Sequence, residues 1–124
     1  MRASPMKIAI PRFGEEVAPC FEYSGTIAIF TVEAGRVCDQ LDFPLTSKDP
    51  LDRVRLLRDQ RVDALICGGV DARFEQLVRA SGIEVVSWVA GEADAILEQF
   101  IRGELVPGSG RLGSQPEVKA TSEE

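Results

Sequence analysis

Residues 62–70 read VDALICGGV, and this stretch decides the fold class. Residues 63–67 form a short apolar run that is typical of a buried strand, and Gly68-Gly69 separates this run from an amphipathic segment. That segment places three apolar residues on one helical stripe: Phe74, Leu77 and Val78. Residues 83–88 (IEVVSW) predict the next strand. A strand, a helix and a second strand in succession indicate parallel pairing through a right-handed crossover.

On either side of this stretch, apolar runs or alternation predict the other strands, and apolar residues at helical spacing predict the other helices. A helix begins at Asp49-Pro50, where a capping residue precedes a proline, and a last helix carries apolar residues at helical spacing between 93 and 101. Three strands precede these helices, in residues 6–10, 26–32 and 37–43, with Pro11 ending the first of them. The predicted order is βββαβαβα. The fold class is therefore α/β, with hairpins in the first half and a mixed five-stranded sheet covered by helices.

Length and composition limit the domain organisation. The 124 residues, 44% of them hydrophobic, suffice for one domain with a modest core. We predict a flexible N-terminus in residues 1–5, a single α/β domain in 6–105 and a disordered acidic tail in 106–124, because the tail has few apolar residues. A formal net charge of -6 argues against a nucleic-acid partner. Without an apolar run long enough for a membrane span or a signal peptide, we expect no membrane association and a cytoplasmic protein.

The cysteine and histidine content restricts the chemistry. Three cysteines at irregular spacing do not predict a disulfide framework, and a reducing compartment would keep them as thiols. The chain contains no histidine, which excludes Ser-His, Cys-His and His-metal mechanisms. The thiols are therefore the candidate reactive groups.

The predicted topology gives the cysteines different locations. If the first strand is central, its carboxyl end and that of the fourth strand open at the same edge, where open α/β sheets usually bind ligands. Cys20, in the loop that follows the first strand, and Cys67, at the end of the fourth, should converge there. Cys38 follows the second hairpin turn at the opposite end of the sheet, and we expect it to be structural.

A candidate site follows from these locations. Cys67 precedes a helix, whose N-terminus would favour the thiolate, and Gly68 and Gly69 would leave the backbone open to a bulky anion. Two arginines could reach the same rim: Arg12 and Arg73. The alternatives are that Cys67 continues the buried strand as a small apolar residue and that Cys20 is a packed loop thiol.

Two thiols are too few for a closed metal site. Structural zinc and ordinary iron-sulfur clusters usually take four protein ligands, and no CxxC pair or histidine completes the set. The site would suit an assembled anionic cluster that is held by one or two thiolates, with basic side chains and backbone amides supplying the rest. A homodimer that pools its ligands is the other arrangement.

Five segments carry a resemblance to a known family: MKIAIP (6–11), GEEVAPCF (14–21), TIAIFTVEAG (26–35), VDALICGGV (62–70) and SGIEVVSWVAGEADAILEQFIRGEL (81–105). Together they resemble the dinitrogenase iron-molybdenum cofactor biosynthesis family, which includes the NifX-type carriers and the C-terminal domain of NifB-type proteins. The resemblance implies a ribonuclease H-like three-layer fold with strand order 3-2-1-4-5. It also implies binding or carriage of iron-sulfur or molybdenum-containing clusters without catalysis. Many members have a histidine before the phenylalanine where this chain has Cys20, which is a softer ligand.

The leading functional hypothesis is a small non-enzymatic cluster carrier or chaperone that exchanges its cargo with donor and acceptor proteins. Cys20 and Cys67 would be its metal ligands. A metal-free protein-interaction or regulatory domain of the same fold is the alternative. A magnesium nuclease is disfavoured because MKIAI has no carboxylate, and a thiol redox enzyme is disfavoured because CxxC is absent.

Two side predictions concern residues outside this set. Trp88, the only tryptophan, is expected to cap the core at the end of the fifth strand, and the alternative is that it lines the rim of the site or a partner surface. Four arginines of the first helix region alternate with acids and are expected to form a solvated face: Arg53, Arg55, Arg58 and Arg61.

Overall fold

The computed structural model describes residues 5–108. In chain order the elements are β1 (Met6–Phe13), β2 (Glu16–Val17), β3 (Thr26–Glu33), β4 (Arg36–Pro44), α1 (Leu51–Asp59), β5 (Ala64–Ile66), α2 (Ala72–Ala80), β6 (Glu84–Val86) and α3 (Ala93–Ile101). The predicted flexible N-terminus and disordered tail lie outside the described residues, apart from residue 5 and residues 106–108.

The strands form one mixed sheet in the order β4-β3-β1-β5-β6, and the short β2 pairs with β1 beside this path. β1, β3 and β4 are antiparallel, while β1, β5 and β6 are parallel. The α/β class and the mixed sheet are thus confirmed, but the predicted count of five strands is wrong because β2 makes six. The ribonuclease H-like designation stays a prediction.

The first strand also runs further than predicted, since β1 continues through Pro11 to Phe13. Pro11 pairs with Ile27 of β3, and its carbonyl oxygen accepts a hydrogen bond from the Ala18 amide at 2.8 Å. The parallel pairing with β5 involves only Ile8 and Ala9. Proline has no backbone N–H to donate, and it is tolerated at position 11 because the pairing with β5 has already ended there.

Alternation along β1 divides the interior into two cores. Ile8 and Ile10 point to one face of the sheet, where α3 packs with Ile96 and Leu97. Ala9 points to the other face, which is covered by α1 and α2. Layers of helix, sheet and helix therefore enclose the central strands. Each helix has nine residues, and none among residues 5–108 is both long and apolar enough to cross a bilayer.

Arg53 departs from the predicted solvated face of α1. Its side chain is buried, and its guanidinium donates to the Ser24 carbonyl at 2.7 Å and to the Ser47 carbonyl at 2.7 Å. Those two carbonyls belong to the loops before β3 and before α1. Arg53 therefore ties α1 to the loop that contains Cys20.

We expect Arg53→Leu to lower the free energy of unfolding by about 2–4 kcal/mol, because buried carbonyls left without a donor cost about 1–3 kcal/mol each. Urea denaturation measures the loss, and the exposed Arg58→Leu serves as the control, with a change within about 0.5 kcal/mol. Equal losses in the two variants would contradict a structural role for Arg53.

Candidate functional site

The loop of residues 18–25, called the Cys20 loop below, is joined to the end of β5 by backbone pairing. Cys20 and Gly69 form an isolated parallel bridge, in which the Gly69 amide donates to the Pro19 carbonyl at 2.8 Å and the Phe21 amide donates to the Gly69 carbonyl at 2.8 Å. The loop after β1 and the turn after β5 therefore meet at the carboxyl ends of these two parallel strands. This is the edge at which the sequence places the candidate site.

Cys20 is a partly exposed free thiol. It lines a cavity of about 240 Å³ together with seven neighbours: Arg12, Phe13, Ala18, Pro19, Tyr23, Ser24 and Gly25. Arg12 thus shares a cavity with Cys20, as the sequence suggests. The Arg12 guanidinium already lies 3.8 Å from a carboxylate oxygen of Asp42 and 4.0 Å from one of Glu15, so neighbouring carboxylates offset much of its charge.

Cys67 is fully buried, with 0% of its surface exposed. Burial, followed by the negative charges of Glu75 and Glu22, raises the pKa of its thiol to about 12. The expectation of a Cys67 thiolate is therefore wrong. Helix α2 begins at Ala72 and not directly after the strand. The thiol belongs instead to the apolar core beneath α1 and α2, as in the alternative interpretation.

Gly68 and Gly69 are in close contact with a neighbouring loop, and their role in admitting a cluster stays a prediction. A Cβ on Gly68 would overlap the Ala18 carbonyl oxygen, and one on Gly69 would lie 3.0 Å from both the Pro19 carbonyl oxygen and the Trp88 ring. Because these two residues have no side chain, the Cys20 loop can pack against their backbone. Both residues are glycine because the Cys20 loop packs directly against the backbone that follows β5.

Arg73 does not line the cavity that contains Cys20, nor the second cavity at this edge that is described below. Its side chain is 84% exposed, and its Nε donates to the Asp71 carboxylate at 3.1 Å. The Asp71 carboxylate raises the pKa of Arg73, and Arg73 lowers the pKa of Asp71. Asp71 also caps α2 by accepting from the Arg73 amide at 2.8 Å. The pair therefore works as a helix cap.

Glu22, two residues after Cys20, is buried, whereas the sequence favours a solvated position at the edge of the loop. Its side chain is 9% exposed, and Oε2 accepts from the Asp71 amide at 3.2 Å. Oε1 is buried and has no hydrogen-bond partner among the described residues. The carboxylate also contributes to the raised pKa of Cys67. No local sequence signal separates this loop acid from a solvated one, because its burial depends on contact with the turn before α2.

A second, larger cavity of about 380 Å³ adjoins the first. Its lining combines two aromatic rings, one carboxylate and a glycine-rich backbone: Phe13, Glu16, Val17, Pro19, Gly68, Gly69, Trp88, Val89, Ala90 and Gly91. Trp88 is 45% exposed there, so the expectation that it caps the core is wrong. Phe13 and Pro19 line both cavities and form the ridge between them.

The described part of the chain does not assemble a multidentate metal site. Among residues 5–108, no group of three or more cysteine, aspartate or glutamate side chains is arranged to hold a metal ion. Cys38 is exposed on β4 near the hairpin turn, whereas Cys20 lies beyond the other end of β3, so the expected separation of these two thiols is observed. Its exposure argues against packing of the Cys38 thiol in a core. Cys20 is thus the one accessible thiol at the candidate site.

Comparison with known protein families agrees with the resemblance found in the sequence. The sequence model of the dinitrogenase iron-molybdenum cofactor family matches residues 5–103. No curated protein sequence matches the chain significantly.

Solved structures of similar fold cover most of the chain. The protein PH0822 has a TM-score of 0.76 at 22% identity, over 81% of this chain and 92% of its own. MJ0327 from Methanocaldococcus jannaschii has a TM-score of 0.70 at 20% identity, over 83% and 94%. The apo form of the orange protein from Desulfovibrio gigas has a TM-score of 0.66 at 21% identity, over 82% and 92%. At these identities the likeness shows a shared fold.

We expect two of the three thiols to react with a thiol reagent in the native protein near neutral pH, and the Cys67 thiol to react only after unfolding. Cys67 is buried and protonated, whereas Cys20 and Cys38 are accessible. Reagent titration with and without denaturant counts the thiols, and the Cys67→Ala variant identifies the slow one. Three equally fast thiols would contradict the burial of Cys67.

The same pKa predicts a pH dependence of stability. The thiol has its ordinary pKa of 9.0 in the unfolded chain and a pKa of about 12 in the folded protein, so the folded state retains the proton longer. Its contribution to stability is complete below pH 9.0 and is lost as pH rises toward about 12, with a slope on the order of 1.4 kcal/mol per pH unit. Urea denaturation across this window should show a shallower decline for Cys67→Ala than for the wild type.

We expect Gly68→Ala to displace the Cys20 loop, because the new methyl group would overlap the Ala18 carbonyl oxygen. The free energy of unfolding should fall by about 1–3 kcal/mol, and the Cys20 thiol should react faster. Gly25→Ala is the matched control in the same loop, since no atom lies within 4 Å of its added Cβ. If both variants behave alike, the packing of the loop against Gly68 is not the constraint described above.

Proposed function

The chain belongs to the dinitrogenase iron-molybdenum cofactor family, and we propose that it is a small non-enzymatic protein that binds iron-sulfur or molybdenum-containing clusters. In this role it carries the cluster as cargo from a donor protein to an acceptor protein during cofactor biosynthesis. The fold would be the ribonuclease H-like one that the resemblance implies, and the compartment would be the cytoplasm.

The observation that carries the proposal is the position of Cys20. Its partly exposed thiol opens into a cavity at the sheet edge where the parallel strands end, which is the usual ligand position in open α/β sheets. A thiolate is a soft ligand that suits iron, molybdenum and their sulfides. Arg12 lines the same cavity and supplies hydrogen-bond donors to an anionic cargo.

The donor set fits a transient hold on a preassembled cluster. With Cys67 buried, Cys20 alone remains at this edge as an accessible cysteine ligand, against the four cysteine ligands that a resident iron-sulfur cluster usually takes. A single ligand leaves the remaining coordination positions to the cluster's own sulfides or to an acceptor protein. Such a cargo leaves easily, as a carrier requires. We therefore propose Cys20 as the metal ligand and assign Cys67, Gly68 and Gly69 to holding its loop in place.

A metal-free interaction or regulatory domain is the second candidate function. It is favoured by the pairing of both candidate cations with carboxylates, Arg12 with Asp42 and Glu15 and Arg73 with Asp71. Paired arginines offer less net positive charge to an anionic cluster than the sequence suggests. In this case Cys20 would have no ligand role.

Anaerobic reconstitution with iron and sulfide, with and without molybdate, separates the two candidates. We expect bound metal in the wild type, loss of most of it in Cys20→Ser, and retention in Cys38→Ser, the control for an accessible thiol elsewhere. Cys67→Ala should also retain metal, because its thiol is not a ligand in this proposal. Metal content per chain and visible absorbance provide the readout. Equal metal in Cys20→Ser and the wild type, or none in the wild type, would favour the metal-free domain.

A further inference from the structure

The larger cavity, between Phe13 and Trp88, has a chemistry different from that of the Cys20 cavity. Its volume of about 380 Å³ lies within the range of about 300–1,000 Å³ that is typical of ligand pockets. Phe13 is 79% exposed and Trp88 is 45% exposed, so two aromatic side chains stand at its opening. No cysteine lines it, and the proposed carrier role makes no use of it.

The backbone of Trp88 is held in an unusual conformation. Its φ of 61° lies in the left-handed region, which is unfavourable for a bulky residue. Hydrogen bonds hold it there, since the Trp88 amide donates to the Gly68 carbonyl at 2.8 Å and the Val89 amide donates to the Cys67 carbonyl at 3.0 Å. The indole ring consequently lies against Gly69 and forms one wall of the cavity. Strain of this kind at an exposed aromatic residue points to a binding role.

The charges around this cavity are negative. Of the described residues that line the cavity, Glu16 is the only ionisable one, and it is exposed. Backbone pairing brings a second exposed acid next to Glu16, because Glu16 forms an antiparallel bridge with Glu92. Within residues 5–108, no lysine or arginine lines the cavity, and the nearby Arg12 guanidinium lies beside Asp42 and Glu15.

We propose that this cavity binds an arginine side chain presented by a basic segment of a partner protein. Aromatic rings attract a guanidinium through the negative electrostatic potential at their faces. The apolar walls of the cavity would contact the methylene groups of the arginine side chain. Glu16 would pair with the guanidinium at the opening. An aromatic centre within a ring of charged side chains is also the usual anatomy of a protein interface.

Charge separates this cavity from the cluster site. An anionic cluster would meet Glu16 without a compensating cation, whereas a guanidinium would meet a carboxylate and two aromatic rings. The ridge of Phe13 and Pro19 lines both cavities, so a partner docked on one would stand beside the cargo in the other. The inference concerns recognition and stands whether or not Cys20 binds metal.

Trp88 makes the test direct, because it is the only tryptophan in the chain and its fluorescence reports on this cavity alone. The probe is a capped peptide of alternating glycine and arginine, and the controls are the same peptide with glutamate or leucine in place of arginine. We expect a saturable change in emission with the arginine peptide only. The response should weaken when ionic strength rises from about 0.01 M to about 0.15 M, since the Debye length falls from about 30 Å to about 8 Å.

Matched variants test the residues. Glu16→Gln and Phe13→Ala should each weaken binding of the arginine peptide by about two- to five-fold. Glu84→Gln and Leu77→Ala, which change an exposed acid and an exposed apolar residue outside the cavity, should leave it unchanged.

Three results would overturn the inference. The first is an equal response to the glutamate or leucine peptide. The second is an equal loss of binding in Glu16→Gln and Glu84→Gln, which would mean that only the overall negative charge attracts the peptide. The third concerns this chain's own Arg111, which follows Gly108 by three residues, while the Gly108 amide donates to the Ser87 carbonyl beside Trp88. If Arg111→Ala, without any peptide, changes the emission in the direction opposite to that caused by peptide binding, the bound arginine belongs to this chain.

Discussion

The structure of the functional edge depends on one backbone contact, the parallel bridge between Cys20 and Gly69. Two hydrogen bonds of 2.8 Å, from the Gly69 amide to Pro19 and from the Phe21 amide to Gly69, fasten a loop to the end of a central strand. The contact is possible only because residues 68 and 69 have no side chain, since a Cβ at either position would meet the loop or the Trp88 ring. This close approach decides which groups at the edge face solvent and which are buried.

Burial of Cys67 is the main chemical consequence. The loop brings Phe21 into the core that contains Cys67, and it brings Glu22 close enough for its charge to act on the thiol. Desolvation and negative charge both favour the neutral thiol, so a residue that looks like a second ligand becomes part of the core. The edge then offers one accessible thiol, which suits a cargo that must be released.

The same loop divides the edge into two cavities of different character. Phe13 and Pro19 line both, with Cys20 and Arg12 on one side and Trp88 and Glu16 on the other. A soft anion and a guanidinium group need opposite surroundings, and the ridge keeps those surroundings apart. Binding of cargo and recognition of a partner can therefore occupy neighbouring positions without competing for the same side chains.

The sequence by itself determined the α/β class, the three helices and the strands other than β2, because hydrophobic period, helix caps and glycine turns are carried by neighbouring residues. It also placed Cys20 and Cys67 at one sheet edge and Cys38 away from it, since strand direction follows from chain order. The tertiary structure alone decided the burial of Cys67, Glu22 and Arg53, the exposure of Trp88, and the pairing of Arg12 with Asp42. The physical reason is that burial, and with it the pKa of a thiol, depends on which distant segment packs over a residue, and local sequence does not encode that contact.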